Sequence, residues 1–117
     1  MNKLPVIQMR RKGKTQTQRM LIPSETMIAD ELWAAPPGCI SDLAAIRRVL
    51  AAKYGADACC PVTVRRHLVQ MSRSDTAPFW RVIDPDRPFA RRVVGGPERI
   101  RKKLTDEGDA TGGRCAL

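Results

Sequence analysis

The chain has 117 residues, with 21 Lys and Arg against 12 Asp and Glu, a formal net charge of +9 and a pI near 10.1. That length allows one domain with a modest core, and a 43% hydrophobic content is globular in character. No apolar run approaches the roughly 18 residues of a membrane span, and the N-terminus offers charge without an apolar h-region. These figures exclude an integral membrane protein, a secreted precursor and a large multidomain enzyme, and point to a small cytoplasmic domain with a polyanionic partner, most economically nucleic acid.

Residues 1–19 hold Lys3, Arg10, Arg11, Lys12, Lys14 and Arg19 and no acid. With Gln and Thr between the cations and no helical period, this stretch reads as a flexible basic arm. A first helix is expected from Ser24 or Thr26 to Ala35, with Met27, Ile28, Leu32 and Trp33 as its apolar stripe and Pro36-Pro37-Gly38 as its stop. A second helix over 42–54 takes Ser41 or Asp42 as N-cap. It buries Leu43, Ile46, Val49 and Leu50, and ends at Gly55.

Pro61 suits the first position of a third helix over 61–72, because a proline there sacrifices no intrahelical hydrogen bond. Val64, Leu68 and Met71 recur at i, i+4 and i+7 on its inner face, while Thr63, Arg65, Arg66 and His67 occupy the other. Phe79-Trp80-Arg81-Val82-Ile83 has strand composition, Asp84-Pro85-Asp86-Arg87-Pro88 is a turn, and Phe89 to Val94 supplies the return strand or an extended loop. Gly95-Gly96-Pro97 opens a last helix over 97–107, with Ile100 and Leu104 inward. The Gly-rich tail 109–117 reads as disordered. The expected domain therefore covers 20–108. It is mainly α with a small β wing, a winged helix-turn-helix whose helix pair is 42–54 and 61–72.

Chemistry for catalysis is sparse. Glycine-rich phosphate loops are absent. The single histidine, His67, sits among arginines with no carboxylate placed in sequence to orient it, so a DNA-facing role outweighs a general base. Cys39, Cys59, Cys60 and Cys115 show neither a disulfide framework nor zinc spacing, so reduced thiols, no metal and no cofactor are expected.

Pro78-Phe79-Trp80-Arg81-Val82-Ile83 resembles the Pro-Cys-His-Arg-Val-Ile segment of alkylguanine-DNA alkyltransferases, the methylated-DNA–protein cysteine methyltransferases. Ala35-Pro36-Pro37-Gly38 with Ile40 and Asp42-Leu43-Ala44 resembles that family's proline-glycine turn and first DNA-binding helix. Gly95-Gly96, the run Arg99–Leu104 and Glu107-Gly108 resemble its closing segment. A closer resemblance is to the small alkyltransferase-like proteins that lack the active-site cysteine. In these, Cys-Pro-Ile/Val-Thr and Pro-Tyr/Phe-Trp-Arg segments match Cys60-Pro61-Val62-Thr63 and Pro78-Phe79-Trp80-Arg81. Phe79 stands at the acceptor-cysteine position and Trp80 at the histidine position, and neither side chain can accept an alkyl group or relay a proton. The position of the family's arginine finger falls near Val62.

The resemblance implies a DNA-binding protein of the repair class, without transferase activity at the usual site. Ser41, Thr63, Arg65, Arg66, His67 and Arg81 are the candidate DNA contacts, and Phe79 and Trp80 are candidates for a base pocket or for core. Two alternatives stand beside it: an alkyl acceptor relocated to Cys60, at a helix N-terminus where a thiol pKa falls, and a basic protein-interaction module. The expected partner is duplex DNA together with a repair protein. The expected state is a cytoplasmic monomer, nucleoid-associated in a bacterium.

Overall fold

Proline and glycine punctuate four helices in the computed structural model, which describes residues 6–12, 16–38 and 40–108. Helix α1 is Glu25–Ala34, α2 Leu43–Lys53, α3 Pro61–Ser74 and α4 Gly96–Asp106. Ser24 caps α1 by accepting the Met27 N–H at 3.2 Å, and Asp42 caps α2 by accepting the Ala44 N–H at 3.0 Å. All four expected helices are present, within two residues at each end.

The β-structure lies elsewhere than expected. Strands β1 (Val6–Lys12) and β2 (Gln16–Ile22) form an antiparallel hairpin, and β2 pairs in parallel with the two-residue strand β3 (Ala58–Cys59), in the order β1-β2-β3. This corrects the reading of 1–19 as an arm without regular structure, for residues 6–12 and 16–19. The missed cue is the alternation Ile7, Met9 and Met20, Ile22 on either side of a three-residue connection containing Gly13. Cys39 and the tail 109–117 lie outside the described residues.

The expected strands over 79–94 are corrected too. Phe79–Val82 and Pro88–Arg92 are 3₁₀ segments. Pro78 starts the first, whose Arg81 N–H donates to the Pro78 carbonyl at 3.2 Å. Its β-prone composition serves burial instead, since Phe79, Val82 and Ile83 all enter the core. That core gathers Ile28 and Leu32 of α1, Val64, Leu68 and Met71 of α3, and Ile100 and Leu104 of α4 around Phe79, which is 0% exposed. Helix α3 packs on α1 and the first 3₁₀ segment, while α2 leans on β2 and β3. Two expected core residues are instead outside: Trp33 is 62% exposed, and Val49 faces solvent on α2. The result is an α/β domain of four helices and a small three-stranded sheet. No helix among the described residues is long and apolar enough to cross a membrane.

Candidate nucleic-acid interface

The α3 sequence Pro-Val-Thr-Val-Arg-Arg-His-Leu-Val-Gln-Met-Ser-Arg-Ser separates cleanly into two faces. Val64, Leu68 and Met71 are buried, so the 3.6-residue period turns Arg65, Arg66 and Arg73 outward. A concavity of about 470 Å³ runs along that outer face, lined by Val62, Arg65, Arg66, His67, Arg73 and Arg92 among others. Arg92 arrives from the second 3₁₀ segment, with its guanidinium 5.9 Å from the Phe89 ring centroid.

Six other cations of the fold are paired with carboxylates, whereas Arg10, Arg47, Arg48, Arg87, Arg91 and Lys103 are in no ion pair among the described residues. What sets the four arginines of this concavity apart is that they converge on one place. Arg19, Lys53, Arg81, Arg99, Arg101 and Lys102 each hold a carboxylate. Among the described residues, Arg65, Arg66, Arg73 and Arg92 have no acidic partner within ion-pair distance. Like charges gathered without counter-charges repel one another, so the cluster costs stability unless an anion occupies it.

The remaining expected contacts have other occupations. Thr63 Oγ1 donates to Cys60 Sγ at 3.4 Å, and His67 Nε2–H donates to the Pro23 carbonyl at 3.1 Å, although the ring still borders the concavity. Ser41 is half-buried and its N–H donates to the Arg81 carbonyl at 2.6 Å. It lines a second concavity of about 510 Å³ with Ile40, Leu43, Arg65, Ile83 and Phe89.

Arg81 does not face the solvent as a DNA contact would. Its guanidinium donates to Glu107 Oε2 at 2.7 Å from Nη2, and from Nη1 to the Leu32 and Ala35 carbonyls at 3.0 and 3.3 Å. Both carbonyls lie at the C-terminal end of α1, where Leu32 also accepts the Ala35 N–H at 3.2 Å, and the buried arginine gives each a donor. Burial works to raise the Glu107 pKa. The Arg81 hydrogen bonds, the Gly38 N–H at 2.8 Å and the neighbouring Trp80 indole outweigh it, and the carboxyl titrates below its ordinary value.

Phe79 and Trp80 border neither concavity, and of their two candidacies, base pocket or core, they take the core. Phe79 sits in the core with the Arg99 guanidinium 4.9 Å from its ring centroid, and Trp80 packs edge-on against it at 5.2 Å. The Trp80 Nε1 is buried near Glu107 but makes no well-formed hydrogen bond.

Cys60 occupies the N-cap of α3. Burial disfavours its thiolate, but the Thr63 hydroxyl, the N–H groups of Thr63 and Val62 and the charge of Arg10 more than compensate, so its pKa falls below the ordinary thiol value. Cys59 beside it is pushed up to about 11 by burial. At 4% exposure, Cys60 is ionisable yet shielded from any bulky electrophile. Among the described residues no cluster of His, Cys, Asp or Glu is placed to hold a metal ion.

The sequence reading missed Arg73 and Arg92. Arg73 was legible, because it stands seven residues after Arg66 and returns to the same helix face. Arg92 was not, since only the tertiary fold carries it to α3. No family model, curated protein or solved structure matches this chain.

Proposed function

We propose that this protein is a non-catalytic, alkyltransferase-like DNA-binding protein that docks the outer face of α3 on a duplex. The observation carrying the reading is the set of arginines without carboxylate partners, Arg65, Arg66, Arg73 and Arg92, around one concavity. A phosphate backbone supplies the anions such a cluster lacks, and guanidinium groups bind phosphate oxygens in pairs. In this reading α2 and α3 form the helix pair of a winged helix-turn-helix, with the β1–β2 hairpin in the place of the wing. The buried Phe79 at the position of the family's acceptor cysteine supports binding without alkyl transfer.

Recognition of an alkylated or flipped base then belongs to the second concavity. Phe89 offers a stacking face there, and Arg65 is shared with the α3 surface. Titrating matched duplexes with and without an O6-alkylguanine tests both parts. Arg65→Glu with Arg66→Glu should flatten the salt dependence by about 1.8 log units per log salt, near 0.9 for each lost phosphate contact. An unchanged affinity and slope would remove α3 from the interface. Phe89→Ala should erase preference for the alkylated duplex and leave plain-duplex binding close to wild type.

A further inference from the structure

Cross-strand partners of an antiparallel ladder share one face, and so do residues two apart along a strand. The β1–β2 register pairs Gln8 with Met20 and Arg10 with Gln18, so Gln8, Arg10 and Gln18 lie together on one face of the hairpin. Gln8 and Arg10 are exposed and Gln18 is half-exposed. The Arg10 guanidinium donates to Gln8 Oε1 from Nε at 3.2 Å and from Nη2 at 2.9 Å, which lays it along that face. The chain contains no acid before Glu25. The ion pair described on the hairpin, Arg19 with Asp57 at 3.9 Å, belongs to the opposite face, where Arg19 pairs with Met9.

The ladder also reaches beyond its support. β3 pairs with Met20 and Leu21, and Asp57 holds Arg19 by donating its N–H to the Arg19 carbonyl at 2.9 Å. Residues 16–18 and their β1 partners 10–12 therefore extend past the sheet, about 10 Å at ~3.3 Å per residue, with Gln8 at the base of the ribbon opposite Met20. A free two-stranded ribbon has the width that the major groove of B-form DNA admits, and the deep, narrow major groove of an RNA duplex does not. Gln and Arg are the side chains whose paired polar atoms match the edges of adenine and guanine. The ribbon base lies close to α3, because the Cys60 N–H donates to the Leu21 carbonyl at 2.9 Å and the Arg10 charge acts on the Cys60 thiol.

We propose that the β1–β2 hairpin is a second DNA-contacting element, which enters the major groove and reads base edges with Gln8, Arg10 and Gln18. The inference rests on the proposed binding to duplex DNA, and assigns sequence selection to the ribbon and backbone contacts to α3.

The test uses the full-length protein with a random-sequence DNA duplex library, and with one DNA duplex and one RNA duplex of the same sequence. Wild type should enrich a short sequence motif and bind the DNA form about tenfold or more tighter than the RNA form. Gln8→Ala, Arg10→Ala and Gln18→Ala combined should abolish the enrichment and bring the two duplexes within about twofold. Its melting temperature should stay at the wild-type value, since these side chains lie outside the core. Retained enrichment and DNA preference in a folded triple variant overturn the proposal, as does equal wild-type binding to both duplexes. If the triple variant is unchanged while Arg65→Glu with Arg66→Glu weakens binding, the ribbon reading fails alone. If the α3 variant has no effect while the ribbon variant does, the α3 interface fails and the ribbon stands.

Discussion

Arg81 turns a buried charge into a fastener. Its side chain is 9% exposed and that of Glu107 15%, so removing either partner strands the other in a poorly solvated place. Glu107→Ala should cost about 3 kcal/mol, toward the lower end for a broken buried pair because some solvent reaches it, in a urea titration at neutral pH. The pair also has an acid limit. The folded Glu107 pKa lies below the ordinary 4.5, so its contribution is complete above that value and is lost as pH falls through the folded pKa. The stability gap between wild type and Glu107→Gln should therefore narrow on acidification, and a constant gap would contradict the ion pair. The sequence offered Arg81 as a DNA contact. It could not show the buried role, because the carbonyl acceptors lie 49 and 46 residues away and the carboxylate 26. At Phe79 the bland alternative won. Phe79→Ala should cost roughly 3–5 kcal/mol and lower the melting temperature sharply. Incubation of wild type with methylated-guanine DNA should add no methyl mass, and a stoichiometric adduct abolished by Cys60→Ser would restore the relocated-thiol reading.

Among the elements, helices were legible because prolines, glycines and caps mark their ends and the 3.6-residue period marks their inner faces. The β-structure was not, for two separate reasons. β2 is stabilised by β3, almost forty residues on, and the charges of the hairpin mask its alternation. The 79–94 segment has strand-like residues with no strand to pair with, and tertiary burial holds it as 3₁₀ turns instead. The junction before α4 shows a tighter constraint. Gly95 has φ +87, and a Cβ there would meet Arg99 Cδ at 2.5 Å and Cβ at 2.7 Å. Arg99 in turn donates to the Ser72 carbonyl at 2.7 Å, the Val94 carbonyl at 3.0 Å and Asp75 Oδ1 at 3.1 Å, tying α4 to the end of α3. Gly95→Ala should therefore destabilise by about 2 kcal/mol from the left-handed backbone alone. The displaced arginine should loosen the α3–α4 junction further, seen as faster amide exchange at the C-terminal turn of α3. Gly96→Ala has open space around its Cβ and should pay only the backbone cost.

Over the whole molecule, charge is distributed unevenly rather than merely in excess. Among the described residues six ion pairs bind cations to carboxylates, one of them within α4, while four unpaired arginines gather at the α3 concavity. The net +9 foretold a polyanion in general terms. The convergence of four arginines on one concavity needed the fold. If the four arginines of the α3 concavity each neutralise one phosphate, log affinity should fall with log salt at a slope near −3.6, so doubling the salt weakens binding about twelvefold. A slope near zero, with binding intact, would assign the affinity to contacts other than these.

The Arg81–Glu107 fastener has a further consequence, in the order of synthesis. A ribosome makes the Leu32 and Ala35 carbonyls first, then Arg81, and Glu107 only 26 residues afterwards. At about 5–20 residues per second, that leaves Arg81 without its counter-charge for roughly 1–5 s. An unpaired guanidinium favours hydration over burial, so closure of the 3₁₀ segment over α1, with Phe79 beneath it, is expected to await Glu107. Closure of the core is then expected to follow the arrival of the end of α4. A nascent chain stalled ahead of Glu107 should remain open to protease across α1 and residues 79–83, whereas one extended past it and free of the tunnel should become resistant.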